Sequence, residues 1–239
     1  MECESDVCRI ILAHGFPIGG FLTNALLVTA PLKLVQQIRT TESLGPTNTF
    51  PFTMMMMNAL SWIVYGFYIK DIYVFSPNIV GYAFSIYYIL GSLPYQSKIS
   101  QEATILRVIT LSTIILIGGA VGFIFFQNNP AQTQLVLGSI CCFNLIIFYS
   151  SPLSDLADII RLKDSSSIDP KLAFAALINS ALWTVYAVVI SDLFVFGPNA
   201  VGFLFSIVQL AILGIYKQER ASSPTLSEGY EPIHVNSNE

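Results

Sequence analysis

Residues 58–90 read NALSWIVYGFYIKDIYVFSPNIVGYAFSIYYIL, and residues 179–211 read NSALWTVYAVVISDLFVFGPNAVGFLFSIVQLA. Offset by 121 residues, the two stretches are identical at fifteen of 33 positions. Shared apolar composition explains matched Leu or Val. It does not explain the pairs Asn58/Asn179, Trp62/Trp183, Tyr65/Tyr186, Asp71/Asp192, Pro77/Pro198, Asn78/Asn199 and Gly81/Gly202. The match extends upstream, where Pro31 and Leu32 are answered by Pro152 and Leu153. After a two-residue shortening of the second loop, Pro51 is answered by Pro170. The chain is an internal duplication.

Around this repeat the composition is that of a membrane protein. Of 239 residues, 54% are hydrophobic and only 11% charged, with a mean hydropathy of +0.65. An ordinary soluble domain carries roughly 25% charged residues, so this chain lacks the polar groups to cover itself in water. Seven stretches hold no Asp, Glu, Lys or Arg: 10–32, 50–69, 72–97, 108–127, 130–154, 172–191 and 193–216. Each is about 20 residues or longer, enough to cross ~30 Å of hydrocarbon as a helix. Backbone polar groups in lipid need internal partners, which helices provide, and the short alternating strands of a membrane barrel are missing. The first stretch follows an acidic start, Met1 to Asp6, and is too long for a signal-peptide core, so it counts as a span.

The predicted fold is therefore all-α and transmembrane, with seven helices. Spans 1–3 and 5–7 are two copies of one unit, and span 4 matches neither. Three spans reverse the chain direction, and one further crossing restores it, so the copies become parallel three-helix bundles in a 3+1+3 arrangement. The expected divisions are 1–97 for the first repeat, 98–129 for the linker helix and 130–216 for the second repeat. Residues 217–239 form a polar, disordered cytosolic tail with Ser-Ser-Pro at 222–224 and a YEPI sequence from Tyr230 to Ile233. Nine basic residues fall on the side of the C-terminus and only Arg9 and Lys70 on the other. That bias places the N-terminus outside and the C-terminus in the cytosol. Cys141 and Cys142 read as packing residues within span 5, while Cys3 and Cys8 are candidates for a pair in the N-terminal tail.

Depth arithmetic gathers the repeated polar residues. At 1.5 Å per residue, Trp62 lies roughly 12 Å and Asn58 roughly 18 Å from the outer end of span 2, and Asn78 roughly 9 Å into span 3. Asn58 and Trp62, four apart, share one helix face. The second repeat supplies Asn179, Trp183 and Asn199 equivalently. Carboxamides donate to and accept from hydroxyls without carrying charge, and an indole face packs on the C–H face of a pyranose while its N–H bonds a hydroxyl. The set suits a sugar. The same Asn residues would also serve as glue between helices at ~0.6 kcal/mol per pair, and the Trp residues as an interfacial belt.

Pro31, Pro51, Pro152 and Pro170 lie toward the cytosolic ends of spans 1, 2, 5 and 6, as hinges of an inner gate or as helix terminators. Pro77 and Pro198 free the carbonyls of Tyr73 and Phe194 and are expected to bend spans 3 and 7. Tyr65 with Asp71, and Tyr186 with Asp192, sit at the outer ends of spans 2 and 6, as an outer gate or as interfacial anchors. Apart from His14, no ionisable group lies deep in a span, whereas coupled carriers usually need such groups. Transport is expected to run downhill.

The segments PLKLVQQIRTTES, FPF, NALSWIVYGFYIKD and PNIVGY, followed by PLSDLADIIRLKDSSSIDP, NSALWTVY and PNAVGF, resemble the SWEET family of sugar transporters. The resemblance covers Pro31–Leu93 and Phe148–Tyr216. It implies two parallel repeats with the substrate held between them, an architecture of which this family is itself a standard example. It further implies a uniporter of mono- or disaccharides working by alternating access, and assembly as a homo-oligomer in lipid. A proline tetrad at Pro31, Pro51, Pro152 and Pro170 and a sugar site at Asn78 and Asn199 flanked by Trp62 and Trp183 come with it. Four size-setting positions fall on Leu27, Asn58, Phe148 and Asn179, and Asn at two of them resembles hexose-preferring members. Ala187 departs from the pattern where the first repeat has Gly66, so the outer gate of the second half is expected to pack differently. The reading implies no enzymatic activity, cofactor, metal or nucleic-acid partner. It places the chain in the plasma membrane, with an endomembrane as the alternative. The rival readings are a carrier of amino acids or other small solutes of the PQ-loop kind, although Pro-Leu stands here instead of Pro-Gln, and a seven-helix receptor.

Overall fold

The computed structural model describes residues 6–126 and 128–216, and the side chains of residues 148–155 lie outside that description. Among the described residues all regular structure is helical. The first segment is composite: α1 (Asp6–Ile10), a π-helical turn (Ile11–Gly15), α2 (Phe16–Thr29) and α3 (Leu32–Thr41). It is followed by α4 (Phe50–Tyr68), α5 (Ile72–Ser92), α6 (Lys98–Phe125), α7 (Pro130–Leu162), α8 (Pro170–Val189) and α9 (Leu193–Ile215).

Among the described residues, six helical segments are long and apolar enough to cross a membrane: 6–41, 72–95, 98–125, 130–147, 170–189 and 193–215. Helix α4, the second expected span, has 19 uncharged residues but is less apolar than these six. Its Thr53, Asn58, Ser61 and Tyr65 are polar, and all but Asn58 are buried inside the protein. A helix that faces protein more than lipid does not need an apolar surface all round. Several helices outrun their charge-free cores, since α6 begins at Lys98 and α7 continues to Leu162. Ser97 and Asn129 accept the backbone N–H of Ser100 and Gln132, at 3.3 and 3.2 Å, and so set where these two helices begin.

The duplication is visible in the backbone even where side chains differ. Among the described residues, four that are not glycine adopt positive φ: Glu42 (51°), Lys70 (56°), Lys163 (57°) and Ser191 (54°). They form two pairs at the 121-residue offset, and each non-glycine left-handed residue costs about 1–2 kcal/mol. Equivalent turns thus carry equivalent strain.

Helix α4 packs on α5 as α8 packs on α9, and α2 meets α5 as α7 meets α9. Between the two sets, α2 packs on α8 and α7 on α4, while α6 leans on α4 and α7. The central apolar cluster draws on both sets, with Trp62, Tyr65 and Val74 beside Trp183, Tyr186 and Val195. Gly20 permits the α2–α8 approach: a Cβ there would lie 2.8 Å from Cε2 and Nε1 of Trp183. Helix α6 turns Leu106, Ile109, Leu116, Ile117 and Ile124 outward, as a lipid-facing helix would.

Pro31 separates α2 from α3. Pro77 and Pro198 lie inside α5 and α9. Pro51 and Pro170 stand in the first turn of α4 and α8, where the missing N–H has no intrahelical partner to lose. Those two start helices rather than interrupt them. Cys8 is disulfide-bonded; Cys3, the tail from 217 onward and the side chains of Phe148 and Pro152 lie outside the described residues.

Candidate functional site

Between the two sets of helices lies a cavity of about 170 Å³. Its lining residues pair off under the 121-residue offset: Asn58 with Asn179, Trp62 with Trp183, Asn78 with Asn199, Val74 with Val195, Pro77 with Pro198, and Asn24 with Leu145. The four amides and two indoles expected from sequence are all among the lining residues. The two Trp residues are each 8% exposed.

Helix-internal prolines shape the walls of α5 and α9. Immediately after each, an Asn folds back on its own helix. Asn78 Nδ2 donates to the Val74 carbonyl at 2.7 Å, and Asn199 Nδ2 donates to that of Val195 at 2.8 Å. Asn179 on α8 is held from α2, where the Thr23 hydroxyl lies 3.0 Å from Asn179 Oδ1.

Leu27, a size-setting position implied by the family resemblance, is not a lining residue. One turn away on α2, Asn24 takes that place, with Nδ2 3.4 Å from the Pro77 carbonyl. Asn24 was legible only through its helical spacing from Leu27, because its repeat partner is the apolar Leu145.

Beside the two Trp residues stands a layer of tyrosines and aspartates, with the Tyr65 ring 5.6 Å from that of Trp62 and the Tyr186 ring 5.9 Å from that of Trp183. Sequence proximity pairs Tyr65 with Asp71 and Tyr186 with Asp192, but the structure exchanges the partners. The Tyr65 hydroxyl donates to Asp192 Oδ2 at 2.6 Å, and that of Tyr186 donates to Asp71 Oδ2 at 2.7 Å. The reason is local: Asp71 Oδ1 caps α5 by accepting the N–H of Tyr73 and Val74 at 2.8 and 3.2 Å. Asp192 caps α9 likewise through Phe194 and Val195, at 2.8 and 3.1 Å. Each carboxylate thus fixes a helix start with one oxygen and reaches the opposite set with the other. Gln134 on α7 adds its Nε2 to Tyr65 at 3.1 Å and to Asp192 at 3.2 Å. It has no repeat counterpart, since Ala13 stands at the matching position, and nothing in the duplication pointed to it.

Ala187 does not disturb the exchanged bonds. Its carbonyl accepts the Asp192 N–H at 3.0 Å, as that of Gly66 accepts the Asp71 N–H at 3.0 Å. The difference is confined to packing, because a Cβ at Gly66 would lie 2.8 Å from the Phe75 backbone nitrogen. His14 is exposed in the π-helical turn and shares a 2.6 Å hydrogen bond with the Tyr73 hydroxyl. On the far side of the Tyr–Asp layer a second cavity of about 660 Å³ is lined by Tyr68, Lys70, Asp71, Tyr186 and Asp192. Among the described residues no group of His, Cys, Asp and Glu is placed to hold a metal ion.

A family sequence profile described as "Sugar efflux transporter for intercellular exchange" matches residues 16–99 and 135–221. The chain belongs to the SWEET sugar-transporter family. Each matched SWEET segment covers most of one copy of the duplication, and together they leave out most of α6. The human protein "Sugar transporter SWEET1" is 29% identical over 212 residues, covering 84% of this chain and 95% of the relative. "Bidirectional sugar transporter SWEET7" of Arabidopsis thaliana is 27% identical over 202 residues, covering 83% and 78%. A eukaryotic SWEET transporter solved at 3.7 Å superposes with a TM-score of 0.80 at 20% identity, across 87% of this chain and 97% of that one. That likeness is one of fold. With six spanning-length apolar helices, this SWEET chain is a multi-pass membrane protein.

Proposed function

We propose that this chain is a facilitative, bidirectional sugar uniporter that works by alternating access and prefers hexoses. The observation that carries the reading is the cavity itself, in which four carboxamides and two indoles from repeat-related positions line about 170 Å³. Neutral amides offer donors and acceptors to hydroxyls, and the indoles offer a face to the ring. The volume is below the ~300–1,000 Å³ of typical drug-sized pockets, which favours a single small ring over a disaccharide. The names of the relatives support a sugar as the cargo.

In this reading α4 is the seventh span, and residues 1–97 and 130–216 form parallel three-helix repeats joined by a linker at 98–129, with a tail at 217–239. The N-terminus is outside and the C-terminus cytosolic, so the Tyr–Asp layer is an outer gate, closed in this conformation. Pro31 and Pro152 are hinges of the inner gate, with Pro51 and Pro170 at the starts of α4 and α8 beside them. The protein acts as a homo-oligomer in the plasma membrane. Uptake of radiolabelled sugars and amino acids into proteoliposomes tests the assignment. Hexose equilibration is the expected result, and amino-acid uptake without sugar uptake would overturn it.

A further inference from the structure

The cavity amides are not free to turn either end to a ligand, because the protein already occupies one end of most of them. Asn78 and Asn199 spend an N–H on the carbonyls of Val74 and Val195, at 2.7 and 2.8 Å. An amide NH2 has two N–H groups, so each of these residues keeps its Oδ1 acceptor and one N–H for the cavity. Asn179 is oriented the other way, since its Oδ1 faces the Thr23 hydroxyl at 3.0 Å. Its NH2 group remains for the cavity as a donor.

The fourth amide follows from the repeat. The 121-residue offset that carries Asn58 onto Asn179 carries Thr23 onto Asn144. Helix α7, bearing Asn144, packs on α4 as α2 packs on α8. Asn58 Oδ1 is sealed from solvent with no donor, and Asn144 Nδ2 is sealed with no acceptor. Asn144 as a whole is 9% exposed. An unsatisfied acceptor and an unsatisfied donor therefore stand on two packed helices, at the positions where the other half makes a hydrogen bond. Burying either group alone costs about 1–3 kcal/mol, so a mutual bond relieves both.

Resting on the sugar reading above, we propose that Thr23 and Asn144 are positioning residues that set the polarity of the cavity. Each supplies a donor to the carbonyl oxygen of a cavity amide, Asn179 and Asn58 respectively, and so turns that amide's N–H groups toward the sugar. Asn58 and Asn179 on α4 and α8 are then left to the ligand as donors, while Asn78 and Asn199 on α5 and α9 keep an acceptor oxygen. Sugar hydroxyls then accept from Asn58 and Asn179, and can donate to Asn78 and Asn199. The lock on Asn179 is closed in this conformation, and the lock on Asn58 is open. The Thr23 oxygen is also 3.0 and 3.1 Å from the Gly19 and Gly20 carbonyls. Its single proton serves one of these acceptors at a time, so this lock can release as α2 and α8 shift.

Replacing a hydroxyl by fluorine removes its donor but keeps a weak acceptor, whereas a deoxy position has neither. Competition of the 2-, 3-, 4- and 6-deoxy and deoxyfluoro glucoses against radiolabelled glucose in proteoliposomes separates the two roles. At positions served by Asn58 or Asn179 the fluoro sugar should keep its affinity while the deoxy sugar loses about 5- to 10-fold. At positions whose hydroxyl donates to Oδ1 of Asn78 or Asn199 both should lose equally. Thr23→Val and Asn144→Leu should each erase a fluoro-over-deoxy preference, while Thr23→Ser and Asn144→Thr, which restore a hydroxyl donor, should bring it back. A purely structural role would change folded yield and leave the fluoro/deoxy ratio as it was, and that outcome overturns the proposal. Should the variants fail to fold, the wild-type series still decides: a glucose carrier that shows no fluoro-over-deoxy preference at any position sinks it. A wild-type protein that transports no glucose fails the sugar reading first and takes this one with it.

Discussion

The Tyr65 hydroxyl donates to the Asp192 carboxylate at 2.6 Å, joining residues 127 positions apart in the two halves of the duplication. Its counterpart, Tyr186 to Asp71, closes at 2.7 Å. Asp192 is 5% exposed and Tyr65 fully buried, so this is a dry, charge-assisted contact. Because each carboxylate also caps a helix, the layer is tied to the starts of α5 and α9. Those starts lie within one or two turns of the cavity residues Val74 and Val195.

Tyr65→Phe removes the hydroxyl and leaves the Asp192 cap intact. A hydrogen bond to a charged group contributes roughly 1.5–3 kcal/mol, so the variant should shift the closed-to-open balance of this end by about 10-fold or more. The measurement is labelling of a cysteine placed at Val74 by an impermeant maleimide, with Cys141 and Cys142 replaced. Unchanged labelling rates would show that the layer is no gate.

Transport should be uncoupled. Purified protein in liposomes should equilibrate glucose with no proton or sodium gradient. Accumulation beyond equilibrium under an imposed proton gradient would refute the uniport reading, and His14, the one ionisable group noted within the first span, would become the first residue to replace.

The prolines should divide by their place in the helices. Pro31→Ala joins α2 to α3 and should slow exchange while changing sugar affinity only a few-fold, and Pro152→Ala should behave alike. Pro51→Ala and Pro170→Ala alter first turns, where Pro costs little, and should have the smaller effect on rate. Lost binding with unchanged exchange in Pro31→Ala would argue against a hinge.

Removing a cavity acceptor should be felt directly. Asn78→Ala or Asn199→Ala should weaken sugar binding roughly 5- to 150-fold, the range for about 1–3 kcal/mol. Trp62→Ala and Trp183→Ala should do comparable harm through the lost stacking face. Folded Asn variants with wild-type hexose transport would remove these residues from the site.

Cavity size offers a separate check. Asn58→Ser combined with Asn179→Ser should enlarge the space and raise disaccharide flux relative to hexose. An unchanged ratio would mean that other residues, Asn24 among them, set the limit.

The sequence alone was enough for the helical class, the duplication and the identity of six of the seven Asn and Trp residues that line the cavity. Lipid forces backbone hydrogen bonds inside each segment, and matched Asn, Trp and Pro-Asn have no reason to recur in apolar helices by composition. It was also enough to name Tyr65, Asp71, Tyr186 and Asp192 as one group. Their pairing was decided only in three dimensions, because Asp71 and Asp192 spend one oxygen on capping and the other can reach only the opposite set of helices. The same holds for Gln134, which has no repeat partner, for Asn24 in place of Leu27, and for which end of each cavity amide faces the ligand. Residue type and spacing say that an amide is present, but its orientation depends on what the neighbouring helix offers, and that is a property of packing between distant segments.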